Sequence, residues 1–170
     1  LFFFSHAVAQ TTVQVGYGTT STYYTPMYIS STGSSYYYSN TIQLYTPAEL
    51  ANSGNMEKIA WEKEGTAGYA AGDATLRIYL KHTTLTAVPT AAGTFASEIA
   101  TATLVYESNT QNINTFPGWQ DFIFNMSTFS YNGSDNLMVL VDWYSPSTQT
   151  ASNPSWYYET VSGMGYTWSG

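Results

Sequence analysis

The sequence has no cysteine, so neither a disulfide framework nor thiolate chemistry is available to it. It has two histidines, and only His82 lies outside the first ten residues. A zinc site of the usual nitrogen and sulfur ligands is therefore unsupported. A Ser-His-Asp triad would have to pass through His82, and no nucleophile-elbow sequence accompanies it. Charge is scarce as well: 9% of residues are charged, against about 25% in an ordinary soluble domain. The four basic residues, Lys58, Lys63, Arg77 and Lys81, fall in one short segment, and none follows His82. Binding nucleic acid requires a basic footprint to neutralise phosphates, and the net charge of -7 argues against one. Anionic membrane surfaces are disfavoured for the same reason. No apolar run approaches the roughly 20 residues of a membrane span, so membrane insertion is not expected. Nothing in the sequence calls for a cofactor or a metal.

What the chain does have is aromatic: 17% of its residues, with 16 tyrosines, eight of them between Tyr17 and Tyr45. Solubility then rests on Ser, Thr, Asn and tyrosine hydroxyls rather than on ion pairs, a composition suited to an extracellular β-protein. The opening LFFFSHAVAQ reads as the end of a secretory signal, with small residues ahead of a cleavage after Ala9. Residues 10–170 are enough for one domain with a real core.

The stretch from Trp119 to Tyr144 carries the strongest structural signal. Phe122, Phe124, Leu137, Val139, Val141 and Trp143 form two period-2 stripes that should meet in one packed layer. Between them Asn132-Gly133-Ser134-Asp135 marks a reversal, because Asn-Gly tolerates the positive φ of hairpin turns. Elsewhere, strands are expected at Thr11–Val15, at Tyr36–Tyr45 with Tyr38, Ile42 and Leu44 inward, and at Met56–Glu64 with Ile59 and Trp61 inward. Ala74–Lys81 alternates with Leu76, Ile78 and Leu80 on one face; Thr101–Glu107 and Ser155–Ser162 complete the set. Thr46-Pro47-Ala48-Glu49 predicts a single helical turn near 47–51, with Thr at N-cap, Pro at N1 and Glu at N3. About eight short strands with long loops, and no amphipathic helix of useful length, make an all-β, two-sheet antiparallel sandwich. Jelly-roll and immunoglobulin-like topologies both fit.

Few residues suggest chemistry. His82 continues the inner register of its strand and reads as a half-buried structural histidine. Two carboxylates flanking a cleft would suffice for a glycosidase. Glu62 and Glu64 share their face with Lys58 and look solvated, whereas Asp121 and Asp142 are expected to be neighbours across a sheet. Asp142, alternating with Met138 and Leu140, is a carboxylate on a partly apolar face. Asn132, Asp135 and Asn136 have ligand chemistry for calcium without EF-hand spacing, and read instead as a turn whose side chains bond their own backbone. Asn125 and Asn132 begin Asn-x-Ser/Thr sequons. The tyrosines remain. Tyr23, Tyr24, Tyr36, Tyr37, Trp156 and Tyr157 are the expected ligand-binding residues, since so many rings cannot all be buried. Exposed rings with a polar tip contact sugars and protein partners.

LYTPAEL (Leu44–Leu50), IAWE (Ile59–Glu62), LRIYLKHTTLT (Leu76–Thr86), PGWQDFIF (Pro117–Phe124) and YNGSDNLMVLVDW (Tyr131–Trp143) resemble, in order, a recurrent domain of secreted and cell-surface proteins of Bacteroidota. Many of those proteins are cargo of type IX secretion. The resemblance spans roughly Tyr36 to Tyr144, and its motifs are structural. It implies a jelly-roll-like sandwich and a secreted or cell-surface bacterial location, and it supplies no catalytic residue. Such domains usually add a strand after the equivalent of Tyr166-Thr167-Trp168, so the last strand is expected to be missing. The function expected is a non-catalytic adhesion or ligand-binding module, with a glycan or cell-surface polymer as ligand. The alternatives are a subunit of a surface filament associating with itself or with other modules through sheet edges, and a carboxylate-dependent polysaccharide hydrolase.

Overall fold

A computed structural model describes residues 10–28, 37–146 and 153–169. The expected leader at 1–9, Tyr36 and part of the loop after Ser145 lie outside the described residues. The strands are β1 (Thr20–Thr22), β2 (Tyr38–Tyr45), β3 (Gly54–Met56), β4 (Lys58–Glu64), β5 (Tyr69–Thr83), β6 (Thr103–Ile113), β7 (Gly118–Ile123), β8 (Phe129–Tyr131), β9 (Asn136–Tyr144), β10 (Ser155–Tyr158) and β11 (Gly165–Ser169). Two short helices, α1 (Pro47–Leu50) and α2 (Thr94–Ile99), interrupt them.

The strands form a four-stranded sheet in the order β1-β10-β4-β7 and a five-stranded sheet in the order β11-β2-β9-β5-β6, with β3 and β8 paired apart. All pairings are antiparallel. Between these two sheets every connection crosses except β5 to β6, which gives the sandwich its jelly-roll character.

Alternation explains the packing between the sheets. Leu76, Ile78 and Leu80 of β5 and Leu137, Val139, Val141 and Trp143 of β9 meet Ile59 and Trp61 of β4 and Phe122 of β7. Trp61 and Phe122 stack edge to face at 5.5 Å, as do Tyr69 and Trp143 at 5.9 Å. Fully burying each such aliphatic side chain contributes about 1.5–3 kcal/mol. The helical turn is capped as the sequence predicts: Thr46 Oγ1 accepts from Glu49 N, and Glu49 Oε2 accepts from Thr46 N.

Four expectations need correction. Residues 119–124 and 136–144 do not form a hairpin, because β7 and β9 lie in opposite sheets and face each other across the core. The stripes do share one layer; the Asn132 turn instead joins β8 to β9. Thr11–Val15 forms no strand, and the first one is β1. The strand expected at Thr101–Glu107 ends too early, since β6 runs on to Ile113 opposite a β5 whose bulges absorb register shifts. Finally, β2 is turned over. Ile42 and Leu44 point away from the sandwich interior into a second cluster with Val88, Phe95, Met138 and Leu140. Ser39, Thr41 and Gln43 point inward, where each finds a partner. Ser39 Oγ accepts from Tyr28 N (3.0 Å), Thr41 Oγ1 donates to Pro26 O (3.2 Å), and Gln43 Oε1 accepts from Trp61 Nε1 (3.1 Å). Polar groups can occupy this interior because the segment carrying the fully buried Met27 supplies backbone partners.

Lys63 continues the inward stripe of Ile59 and Trp61 and is completely buried. Its Nζ donates to Gly65 O (2.6 Å) and Ala67 O (2.8 Å), so the chain following β4 wraps the ammonium. No carboxylate pairs with it among the described residues. Burial therefore lowers its pKa below the ordinary 10.5. In the window between the lowered value and 10.5 the unfolded chain binds more protons, so wild-type stability rises with pH there. Methionine lacks that proton. Urea melts of wild type and Lys63→Met should run parallel at neutral pH and then diverge in the wild type's favour as pH approaches 10.5. Curves that stay parallel throughout would contradict this assignment.

Candidate functional site

The outward stripes of the two central strands change character at the same level. On β2 the order is Leu44, Ile42, Asn40, Tyr38, and on β9 it is Met138, Leu140, Asp142, Tyr144. The apolar half of each is covered by the crossing that carries α2, whose Phe95 is buried against Ile42, Leu44, Met138 and Leu140. Two ties hold this cover in place. Val88 N donates to Gly163 O at 2.7 Å, and Lys81 Nζ of β5 reaches Glu98 Oε2 (2.6 Å) and Thr101 Oγ1 (2.8 Å). The polar half is left open.

At the boundary the sheet register lines up one residue from every strand. Trp168 of β11 pairs with Asn40, Asn40 with Asp142, Asp142 with Arg77, and Arg77 with Glu107 of β6. Asn40 Nδ2 donates to Asp142 Oδ1 at 2.9 Å, Arg77 Nη1 approaches Asp142 Oδ2 at 3.5 Å, and Arg77 Nε donates to Glu107 Oε1 at 2.7 Å. The hydrogen bond that Arg77 donates to Glu107 raises the guanidinium pKa, against the opposing effect of burial. Burial chiefly, with Asp142 adding to it, raises the hydroxyl pKa of Tyr79.

Beside this row runs a groove of about 410 Å³. Its sheet wall is Tyr38, Asn40, Asp142 and Trp168, and its other wall is Gly93, Phe95, Ala96 and Ile99 of the α2 cover. Tyr38 is 45% exposed, and Trp168 packs partly against the second cluster while stacking with Tyr166 at 4.5 Å. The groove thus combines two aromatic side chains, a carboxylate and a side-chain amide, held on rigid strands.

The residues expected to bind ligand are not gathered there. Tyr23 and Tyr24 follow β1, with hydroxyls 2.7 Å apart and Tyr28 stacked on Tyr24 at 5.8 Å. The hydrogen bond between the two hydroxyls is the main cause of the raised pKa of Tyr23. Tyr37 is exposed just before β2, and Tyr157 is half-buried on β10 opposite Ser21. Trp156 corrects the expectation outright: it is 1% exposed and lies on the interior side of β10, paired with Lys63, so its ring meets no solvent. Tyr36 falls outside the described residues.

The carboxylate pair fails on topology. Asp121 sits on the exposed face of β7 and Asp142 on the outward face of β9, with the core between them. Asp121 instead pairs with Lys58 at 2.6 Å, both being exposed. It borders a smaller depression of about 280 Å³ with Trp119 and Asn112. His82 is half-buried as expected, stacked on Tyr131 (5.8 Å) and accepting from Asn132 N at Nε2 (3.1 Å). Asn132 Oδ1 accepts from Ser134 N (2.9 Å) and Asp135 N (3.0 Å), the bonding of a turn. Asn125 likewise commits its amide, bridging Glu107 N and O along the edge of β6.

The sequence reading singled out Asp142 but missed Tyr38, Asn40 and Trp168 as a group. The available signal was the simultaneous switch from apolar to polar in Leu44-Ile42-Asn40 and Met138-Leu140-Asp142, which marks where a cover ends. Comparison with protein-family models, curated proteins and solved structures returned no match.

Arg77 is the only cation in the row, facing two carboxylates, and each partner is about one-quarter to one-third exposed. Arg77→Met keeps much of the stem packing and removes the charge. We expect it to destabilise the domain by about 1 kcal/mol, a solvent-discounted figure, and the loss to shrink in 1 M salt. Paired urea titrations of the two proteins at low and high salt measure both effects.

Proposed function

We propose that this domain is a non-catalytic extracellular module that binds glycan along the outer face of its five-stranded sheet. The observation carrying the proposal is the groove in which Trp168 and Tyr38 stand beside the Asn40–Asp142 pair. Sugars present apolar C–H faces and rims of hydroxyls. Aromatic side chains match the first, and fixed carboxylate and amide groups match the second. The scarcity of charge and the abundance of tyrosine in the whole chain agree with an extracellular setting.

The wall residues come from β2, β9 and β11, so the site is preorganised by sheet register and little ordering entropy is lost on binding. Tyr23 and Tyr24 form a separate ring cluster stacked on the buried Tyr28, which we assign to packing of the loop after β1. A glycan array followed by calorimetry on the best ligand tests the proposal. Trp168→Ala and Tyr38→Ala should each weaken binding by about tenfold or more, about 1.4 kcal/mol, whereas Trp119→Ala and Tyr23→Ala should leave it unchanged. A flat array at high protein concentration, or equal affinity across the four variants, would overturn it.

A further inference from the structure

We infer that the groove discriminates by charge, accepting neutral and amino-sugar glycans and rejecting uronate or sulfated ones, with Asp142 as the selecting residue. This inference rests on the glycan reading of the groove and adds to it the chemical class of the ligand.

The polar row distributes its donors and acceptors unevenly. Asn40 spends its amide N–H on Asp142 Oδ1, so its own carbonyl oxygen remains, and no protein donor among the described residues is directed at it. Asp142 Oδ2 has only the long 3.5 Å approach of Arg77 Nη1. The cation beside it is shared: Arg77 makes its short contact, 2.7 Å, with Glu107 and the longer one, 3.5 Å, with Asp142. Among the described residues lining the groove, Asp142 is the only charged one. Counting the row as a whole, two carboxylates (Asp142 and Glu107) against one guanidinium (Arg77) leave one negative charge. Lys81, the other cation on this face, is matched by Glu98 and adds nothing.

The sheet wall thus offers hydrogen-bond acceptors and one carboxylate that shares its only cation among the described residues with Glu107. A sugar hydroxyl donates to such a wall, and a protonated sugar amine donates while adding charge attraction. A ligand carboxylate or sulfate has acceptors only and meets a like charge. The net charge of -7 on the chain acts in the same direction at long range. Salt screens that component beyond about 8 Å at 0.15 M, so discrimination surviving at that salt reports the local carboxylate.

Calorimetry or affinity electrophoresis at 0.15 M salt decides the matter, with oligomers of matched length and linkage as probes: a neutral hexose series, a glucosamine series and a uronate series. The wild type should bind the glucosamine and neutral series and hold the uronate series at least about tenfold weaker, the scale of one unit-charge repulsion at a protein rim. Asp142→Asn, nearly isosteric, should bring the uronate series to within about threefold of the neutral one and remove any preference for glucosamine. Asp142→Ser provides a second variant in which Arg77 keeps Glu107. If uronates bind the wild type as tightly as neutral sugars, and Trp168→Ala abolishes both, the selectivity is wrong while the glycan groove stands. An unchanged ratio in both Asp142 variants has the same meaning. If no series binds at all, the inference falls together with the reading beneath it.

Discussion

Strand β9 is buried on both of its faces, and the remainder of the molecule is arranged around that constraint. Met138, Val139, Leu140 and Val141 are all fully buried, so the strand needs apolar cover on two sides at once. The four-stranded sheet covers one side through Trp61 and Phe122, and the α2 crossing covers the other through Phe95 and Val88. A slip of one residue against β2 or β5 would exchange these faces and drive Asp142 into the core. Register is therefore strongly specified, and the row of Asn40, Asp142, Arg77 and Glu107 inherits that specification.

Helix α2 is short, and its cover ends before β9 does. Where it ends, the outward stripe passes from Leu140 to Asp142, and its neighbour from Ile42 to Asn40. The groove is the consequence of a layer that stops partway across a sheet. Its aromatic wall comes from β11, whose Trp168 lies half in the second cluster and half at the rim. Geometry of this kind depends on strands rather than loops, which suits a binding surface that has to stay rigid.

Much of the fold was legible because its signals are local. Leu76-Ile78-Leu80 alternates with Thr75, Arg77 and Tyr79, residues 137–141 form a continuous apolar run, and Thr46-Pro47-Ala48-Glu49 is a capping box whose partners lie within one turn. What alternation cannot say is which cover a stripe meets. Ile42 and Leu44 looked like interior residues and are buried, but beneath α2, because the second layer is built from residues some fifty positions downstream. Lys63 escaped notice for a related reason: its compensation comes from carbonyls of the next loop, which no side-chain pattern advertises. The site was half legible. Asp142 stood out as a carboxylate among apolar neighbours, whereas its partnership with Asn40 and Arg77 spans strands more than sixty residues apart and exists only once the register is known.

The central claim is that this sheet register creates the binding surface. Amide chemical-shift mapping addresses it directly, by titrating the tightest-binding neutral oligosaccharide into the isotopically labelled domain. The account predicts that shifts concentrate at Tyr38, Asn40, Ala96, Asp142 and Trp168, and that saturation follows a single binding curve. Shifts centred instead on Trp119 and Asp121, or on Tyr23 and Tyr24, would contradict it.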